Sequence, residues 1–201
     1  MTAVRAEVTT AASTTVASPF RLAVLVGSAR PGSRTRAVAL SLAAAIRAGL
    51  TPANAGALDE RDVIDLSELL PVLGVHVPGV DPTAADPVTR ALARTRAPEL
   101  LVVASPTLKG SYSGVLKHFL DLLPRTGLAG TVAVPMMTAA SAEHRFAVDL
   151  HLRALLVELG ARVPTRGLSV LERDFESLHT HLERWLTENL PTLSAVLTAP
   201  R

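Results

Sequence analysis

The sequence predicts a three-layer α/β fold, with a parallel β-sheet covered by helices on both faces. Apolar runs alternate with helical patterns along most of the chain. Several of those runs are continuously apolar, as expected of parallel strands buried on both faces. The helices between them begin and end on ordinary punctuation, such as Pro87 in a first turn and Gly160 just past a last one.

The elements follow in order. Residues 1–19 are rich in Thr, Ala and Ser, lack periodicity and lack the apolar core of a signal peptide, so a disordered tail is expected there. Residues 20–198 are expected to form a single domain. The first strand, Leu22–Val26, stops at Gly27, and a small polar turn leads into the Ala-rich helix Thr35–Leu50. Asp62–Leu66 is the second strand. Pro71–Pro87 holds four prolines and two glycines, which predicts a loop without strong secondary structure. At that length such a loop often serves as a lid or an interface. Then come helix Pro87–Ala97, strand Leu100–Ala104, helix Ser113–Leu123, strand Thr131–Met136, helix His144–Leu159 and strand Arg162–Val170. The last helix, Phe175–Leu197, carries Leu178, Leu182, Trp185 and Leu186 on one stripe, and Pro191 is expected to kink or end it.

Composition narrows the function classes. With 201 residues, 48% of them hydrophobic and 19% charged, a large core is available. No apolar run approaches the ~20 residues of a membrane span. Cysteine is absent, which excludes disulfides, thiolate catalysis and zinc–cysteine sites and fits a reducing cytoplasm. The net charge is +2 with a pI near 9.6. The basic residues are scattered arginines without interleaved aromatics, so nucleic-acid binding has little support.

In open α/β sheets, ligands bind beyond the carboxyl ends of the strands, where strand order reverses. Three loops qualify. In the first, Gly27–Thr35, the start of a helix offers unpaired N–H groups and a partial positive charge to an anion. Ser28, Ser33 and Thr35 add hydroxyls, and Arg30 can grip phosphate oxygens. The plain alternative is a capped helix with a surface arginine. In the second, Ser105–Ser113, Pro106 sets the turn, and Gly110 lets a flat ligand approach the main chain. Lys109, one of only two lysines, can place charge near an anionic ring or phosphate. The third, Thr138–His144, offers Thr138 and Ser141 as donors. Its Glu143–His144 pair invites a proton-transfer reading, but an acid in a first helical turn serves the helix dipole equally well. His179 and His181 face different sides of a helix, so no metal site is expected. With no catalytic motif above noise, an enzyme of this sequence is expected to borrow its chemistry from a cofactor.

Taken together, the segments GSARPGSRT (27–35), SPTLKGSYSGVLKHFLDLLP (105–124) and TAASAEHRFAVDLHLRALLVELGA (138–161) resemble the NADPH-dependent FMN reductase family. The resemblance is nearest to flavin reductases of two-component, sulfonate-type monooxygenase systems. It implies a flavodoxin-like fold with five parallel strands in the order 2-1-3-4-5. It implies that Ser28, Arg30, Ser33 and Thr35 hold the FMN phosphate. Pro106, Thr107, Leu108 and Lys109 would border the isoalloxazine ring, and Thr138, Ala139, Ala140 and Ser141 its other edge. NADPH or NADH would pass a hydride to the flavin, with no catalytic side chain required. Homodimers or homotetramers are implied, with Ser113–Leu123 and His144–Leu159 near the contacts. Relatives often have tyrosine where Leu108 stands and Gly-Gly where Ala139 and Ala140 stand, and sulfonate-type members can carry tyrosine, within a helical bulge, at the position of Leu150.

The expected function is NAD(P)H-dependent reduction of FMN for a partner monooxygenase, in the cytoplasm. Aromatic residues make up only 3% of the chain, which predicts weak, exchangeable FMN. An FMN-bound quinone or azo-compound reductase is one alternative. A degenerate relative that binds no flavin and acts as a partner protein is another. The basic pI and the scarcity of ring-stacking aromatics argue against an electron-transfer flavodoxin.

Overall fold

Successive side chains of a strand point to opposite faces, so a strand that is apolar throughout needs cover on both sides. The strands β1 (Leu22–Val26), β3 (Leu100–Pro106) and β4 (Val132–Ala139) meet that condition almost without exception. With β2 (Val63–Asp65) and β5 (Leu168–Leu171) they form one parallel sheet in the order β2-β1-β3-β4-β5. The structure, a computed structural model, describes residues 20–51, 58–77 and 86–199. The tail expected over residues 1–19 lies outside them, as does 78–85 of the proline-rich loop.

The two faces separate by residue parity. Val24, Val26, Val102, Ala104 and Val134 face α1 (Arg34–Leu50) and α6 (Leu178–Thr198), meeting Leu42, Ile46, Leu182 and Trp185. Leu25, Leu101, Val103 and Ala133 face the other layer. That layer holds α3 (Pro87–Arg96), α4 (Gly114–Asp121) and α5 (Arg153–Glu158), which contribute Val88, Leu116, Phe119 and Leu156. Each fully buried Leu, Val or Phe contributes roughly 1.5–3 kcal/mol, which makes this double core the main source of stability. Among the described residues no helix is long and apolar enough to cross a membrane.

Four expectations need correction. The strand expected over Arg162–Val170 begins only at Leu168. Arg162 makes an isolated bridge to Val132, and the chain then leaves the sheet. Its carbonyls at Val163 and Thr165 accept from the Arg153 guanidinium, while Asn189 accepts from the Arg166 N–H. The helix expected over His144–Leu159 is divided into a 3₁₀ turn at Ala142–His144, a π turn at Val148–Leu152, and α5. The last helix runs through Pro191 to Thr198 and starts later than expected, because a 3₁₀ turn at Glu172–Ser177 holds Phe175. Within Pro71–Pro87 the chain is not all loop, since α2 (Leu70–Leu73) accommodates Pro71 in its first turn, where no N–H partner is needed. β3 and β4 also extend beyond expectation, still paired at Pro106 and Thr138.

Candidate functional site

The strand order reverses between β1 and β3, and a cavity of about 340 Å³ opens at that edge of the sheet. Local packing fixes its first wall. Gly27 ends β1 by donating its N–H to the Ala104 carbonyl at 2.7 Å. A Cβ added there would stand 2.6 Å from Leu116 Cβ, so glycine allows α4 to come close. Ser113 caps α4 by accepting from the Leu116 N–H, and its hydroxyl donates to the Gly27 carbonyl at 2.5 Å. One hydroxyl thus ties the start of α4 to the end of β1. Beyond Gly27, buried Ser28 accepts from the Arg30 N–H at 3.2 Å and tightens the loop.

Ser33 is the N-cap of α1 and accepts from the Arg36 N–H at 3.2 Å. The N–H groups of Arg34 and Thr35 precede the first intrahelical bond and add to the positive end of the helix. No acidic residue occupies that first turn. At the floor, the Thr35 and Thr138 hydroxyls share a buried hydrogen bond of 2.7 Å in which either can donate. The Thr107 N–H donates to the Thr138 carbonyl at 2.7 Å. The Thr107 hydroxyl oxygen is buried and has no hydrogen-bond partner among the described residues, although its residue lines the cavity.

Ser28, Arg30, Ser33, Thr35, Pro106, Thr107, Leu108, Thr138 and Ala140 all line this space, which joins three loops distant in sequence. Lys109, Ala139 and Ser141 do not. Lys109 and Gly110, at φ 53° and 80°, form the tip of a hairpin closed by Leu108 and Ser111, which exchange backbone bonds of 2.8 and 3.1 Å. Gly110 is therefore needed for left-handed backbone at a tight turn, a different reason from the ligand approach expected of it. Ala139 is buried at the end of β4, and Ser141 caps the 3₁₀ turn that holds Glu143 and His144. Glu172 and Phe175 also line the cavity, and sequence reasoning missed them. They follow β5 directly, and the strand-end rule applied there points to them. Glu172 pairs with Arg34 at 3.1 Å, and the Phe175 ring centre lies 5.2 Å from the Arg34 guanidinium carbon.

A larger cleft of about 660 Å³ flanks the open edge of β2. Its arginines are already engaged: Arg36 pairs with Asp65 at 3.3 Å, Arg61 pairs with Asp59, and Arg94 donates to the carbonyls of Arg61 and Val63. The smaller cavity has the unmet donors and acceptors that a ligand requires.

Comparison with known proteins gives the chain its relatives. The sequence model of a family described as NADPH-dependent FMN reductase matches residues 20–176, which include the whole cavity wall. A protein named FMN reductase (NADPH) from Escherichia coli K12 is 39% identical over 92 residues, 46% of this chain and 47% of that protein. The chain thus matches about half the length of that relative. The NADH-dependent FMN reductase SfnF of Pseudomonas putida is 30% identical over 189 residues, covering 91% of this chain and 96% of that one. The X-ray structure of an oxidoreductase from Corynebacterium diphtheriae aligns with a TM-score of 0.73 at 28% identity, covering 92% and 100% of the two chains.

Proposed function

We propose a function from the premise that the chain belongs to the NADPH-dependent FMN reductase family: it reduces FMN at the expense of NADPH or NADH. The observation that carries this reading is the two-ended cavity. One end has the start of α1, Ser33 and Arg30, and the other has Pro106, Leu108 and the partnerless Thr107 hydroxyl. That donor set fits a phosphate ester at one end and the polar edge of a flat ring at the other.

Ser28, Arg30, Ser33 and Thr35 hold the phosphate in this reading. Pro106, Thr107 and Leu108 border the ring, with Thr138 and Ala140 on its other edge. Lys109 adds positive charge from the hairpin tip, and Ala139 and Ser141 shape the chain beside Ala140. When bound, FMN would supply the two-electron chemistry of hydride acceptance from a nicotinamide. The chain contributes position and shape, which suffices for a transfer that needs no side-chain acid or base. Leu108, 53% exposed, offers an apolar surface at the rim.

The flavin is a loosely held substrate in this reading. Trp185 is packed in α6, and among the described residues Phe175 is the one aromatic residue lining the cavity. Reduced flavin then passes to a partner monooxygenase in a reducing cytoplasm, and residues 20–198 act as one flavin-binding domain. The protein works as a homodimer or homotetramer through a flank on which Phe146 and Leu150 are 64% and 68% exposed.

Titration of purified protein with FMN, followed by NADPH and NADH oxidation with FMN or a quinone as acceptor, tests this reading. Saturable FMN binding, loss of colour on dialysis and faster turnover with free FMN are expected. Colour retained through extensive dialysis contradicts a loosely held flavin. Faster quinone turnover moves the assignment to a quinone reductase. No oxidation of either nucleotide with any acceptor overturns the activity.

A further inference from the structure

We infer that Glu172 sets how loosely the phosphate end of the cavity holds its ligand, by competing for Arg34. The inference rests on the FMN-reductase reading and deepens it.

Glu172 and Phe175 lie three residues apart on the short 3₁₀ turn after β5. In a 3₁₀ helix that spacing places two side chains on the same side. Both meet Arg34, the first residue of α1: the carboxylate at 3.1 Å, and the ring with its centre 5.2 Å from the guanidinium carbon. The side chains of Arg34 and Glu172 are 61% and 45% exposed, and a pair that open to water adds little to stability. Its position matters more. Arg34 and Glu172 both line the cavity, and Glu172 supplies its only acidic side chain among the described residues.

An anion arriving at the start of α1 therefore meets Arg30 and a guanidinium that already has a carboxylate partner. A phosphate ester must displace Glu172 or share Arg34 with it, and like charge beside the site opposes either outcome. Phe175 keeps the guanidinium at the cavity mouth in both states. Glu172 thus lowers affinity for the phosphate while leaving the ring end untouched. A protein that must release its reduced flavin gains faster exchange from such a competitor.

Riboflavin, which shares the ring but lacks the phosphate, isolates this contribution. FMN and riboflavin affinities are measured by fluorescence quenching for wild type, Glu172→Gln, Arg34→Gln and the double variant. Glu172→Gln is expected to bind FMN roughly three- to tenfold tighter, the scale of an exposed charge pair acting on a doubly charged ligand, and to leave riboflavin within about twofold. The gain is expected to be smaller in the Arg34→Gln background, where the like-charge repulsion remains but the competition for Arg34 is gone. An FMN-to-riboflavin affinity ratio unchanged or lowered by Glu172→Gln overturns the inference alone, and so does a gain that is undiminished without Arg34. Wild-type protein that binds neither flavin overturns the underlying functional reading as well.

Discussion

The bond between the Thr35 and Thr138 hydroxyls joins the first turn of α1 to the end of β4 at a spot almost closed to solvent. Each hydroxyl has its hydrogen-bonding need partly met by the other, so removing one leaves the second stranded. Thr138→Val keeps the side-chain shape and deletes that partner. It is expected to cost about 1–3 kcal/mol, read as a lower urea midpoint. It also frees Thr35 to turn, so FMN affinity is expected to fall more than riboflavin affinity, with Thr138→Ser restoring both. An unchanged midpoint in Thr138→Val would show that water replaces the lost bond. Residues of this kind were only half legible in the sequence. Ser33 was readable as part of a helix start because a cap is a local device. The Thr35–Thr138 bond spans 103 positions and arises only when the start of α1 meets the end of β4. Glu172 was legible only as a strand-end residue: its significance comes from Arg34 across the cavity, which no local pattern shows.

At the scale of elements, the helices and strands were legible where hydrophobic periodicity decided them, and their interruptions were not. The apolar spacing of 144–159 reads as one helix, yet Asp149 and Arg153 are held by bonds to the segment before β5. Asp149 Oδ1 accepts from the Gly167 N–H at 3.0 Å and from Arg153 Nε at 2.9 Å. The π turn at Val148–Leu152 brings these groups to that segment. Gly167 belongs to the same device, since a Cβ there would stand 2.5 Å from Val148 Cγ2. Val148 is branched at Cβ and nearly fully buried, so it has little freedom to retreat. Gly167→Ala is therefore expected to lower stability by about 1–3 kcal/mol, measured by thermal or urea unfolding. The amino ends of β1 and β3 are clamped in a different way. Burial pushes the Glu99 carboxyl up, but the Arg21 N–H at 2.8 Å and the Arg21 guanidinium hold it, on balance, below its ordinary value. A carboxylate whose pKa is depressed by folding contributes stability above its unfolded pKa, and that contribution is lost as pH falls through the folded pKa. Glu99→Gln is accordingly expected to melt below wild type at neutral pH. The two melting curves should converge below about pH 4, the ordinary carboxylate range. A melting difference that stays constant down to low pH contradicts the clamp.

For the molecule as a whole, the arrangement of the sheet follows from runs of residues that no single-sided sheet can bury, which is why the three-layer fold was readable before any contact was known. A surface for the proposed self-association was less readable, because an exposed apolar residue has meaning only beside its neighbours in space. Phe146 and Leu150 are four residues apart, Val157 is seven further on, and they are 64%, 68% and 55% exposed. All three lie on the segment that runs from the turn before the π turn into α5. Leu150 sits in the middle of the π turn, between Val148 and Leu152, which are buried in the core. The segment thus turns Val148 and Leu152 inward and leaves Leu150 facing out. This flank is the surface proposed for self-association. Light scattering after size-exclusion chromatography is expected to give two or four times the 21.1 kDa chain mass. Charged residues at the two most exposed positions, as in Phe146→Glu with Leu150→Glu, are expected to shift the population to monomer. Far-UV circular dichroism should be retained, because neither side chain belongs to the core. An assembly that survives both substitutions at low concentration places the interface elsewhere, and a wild-type mass equal to one chain removes the proposed assembly altogether.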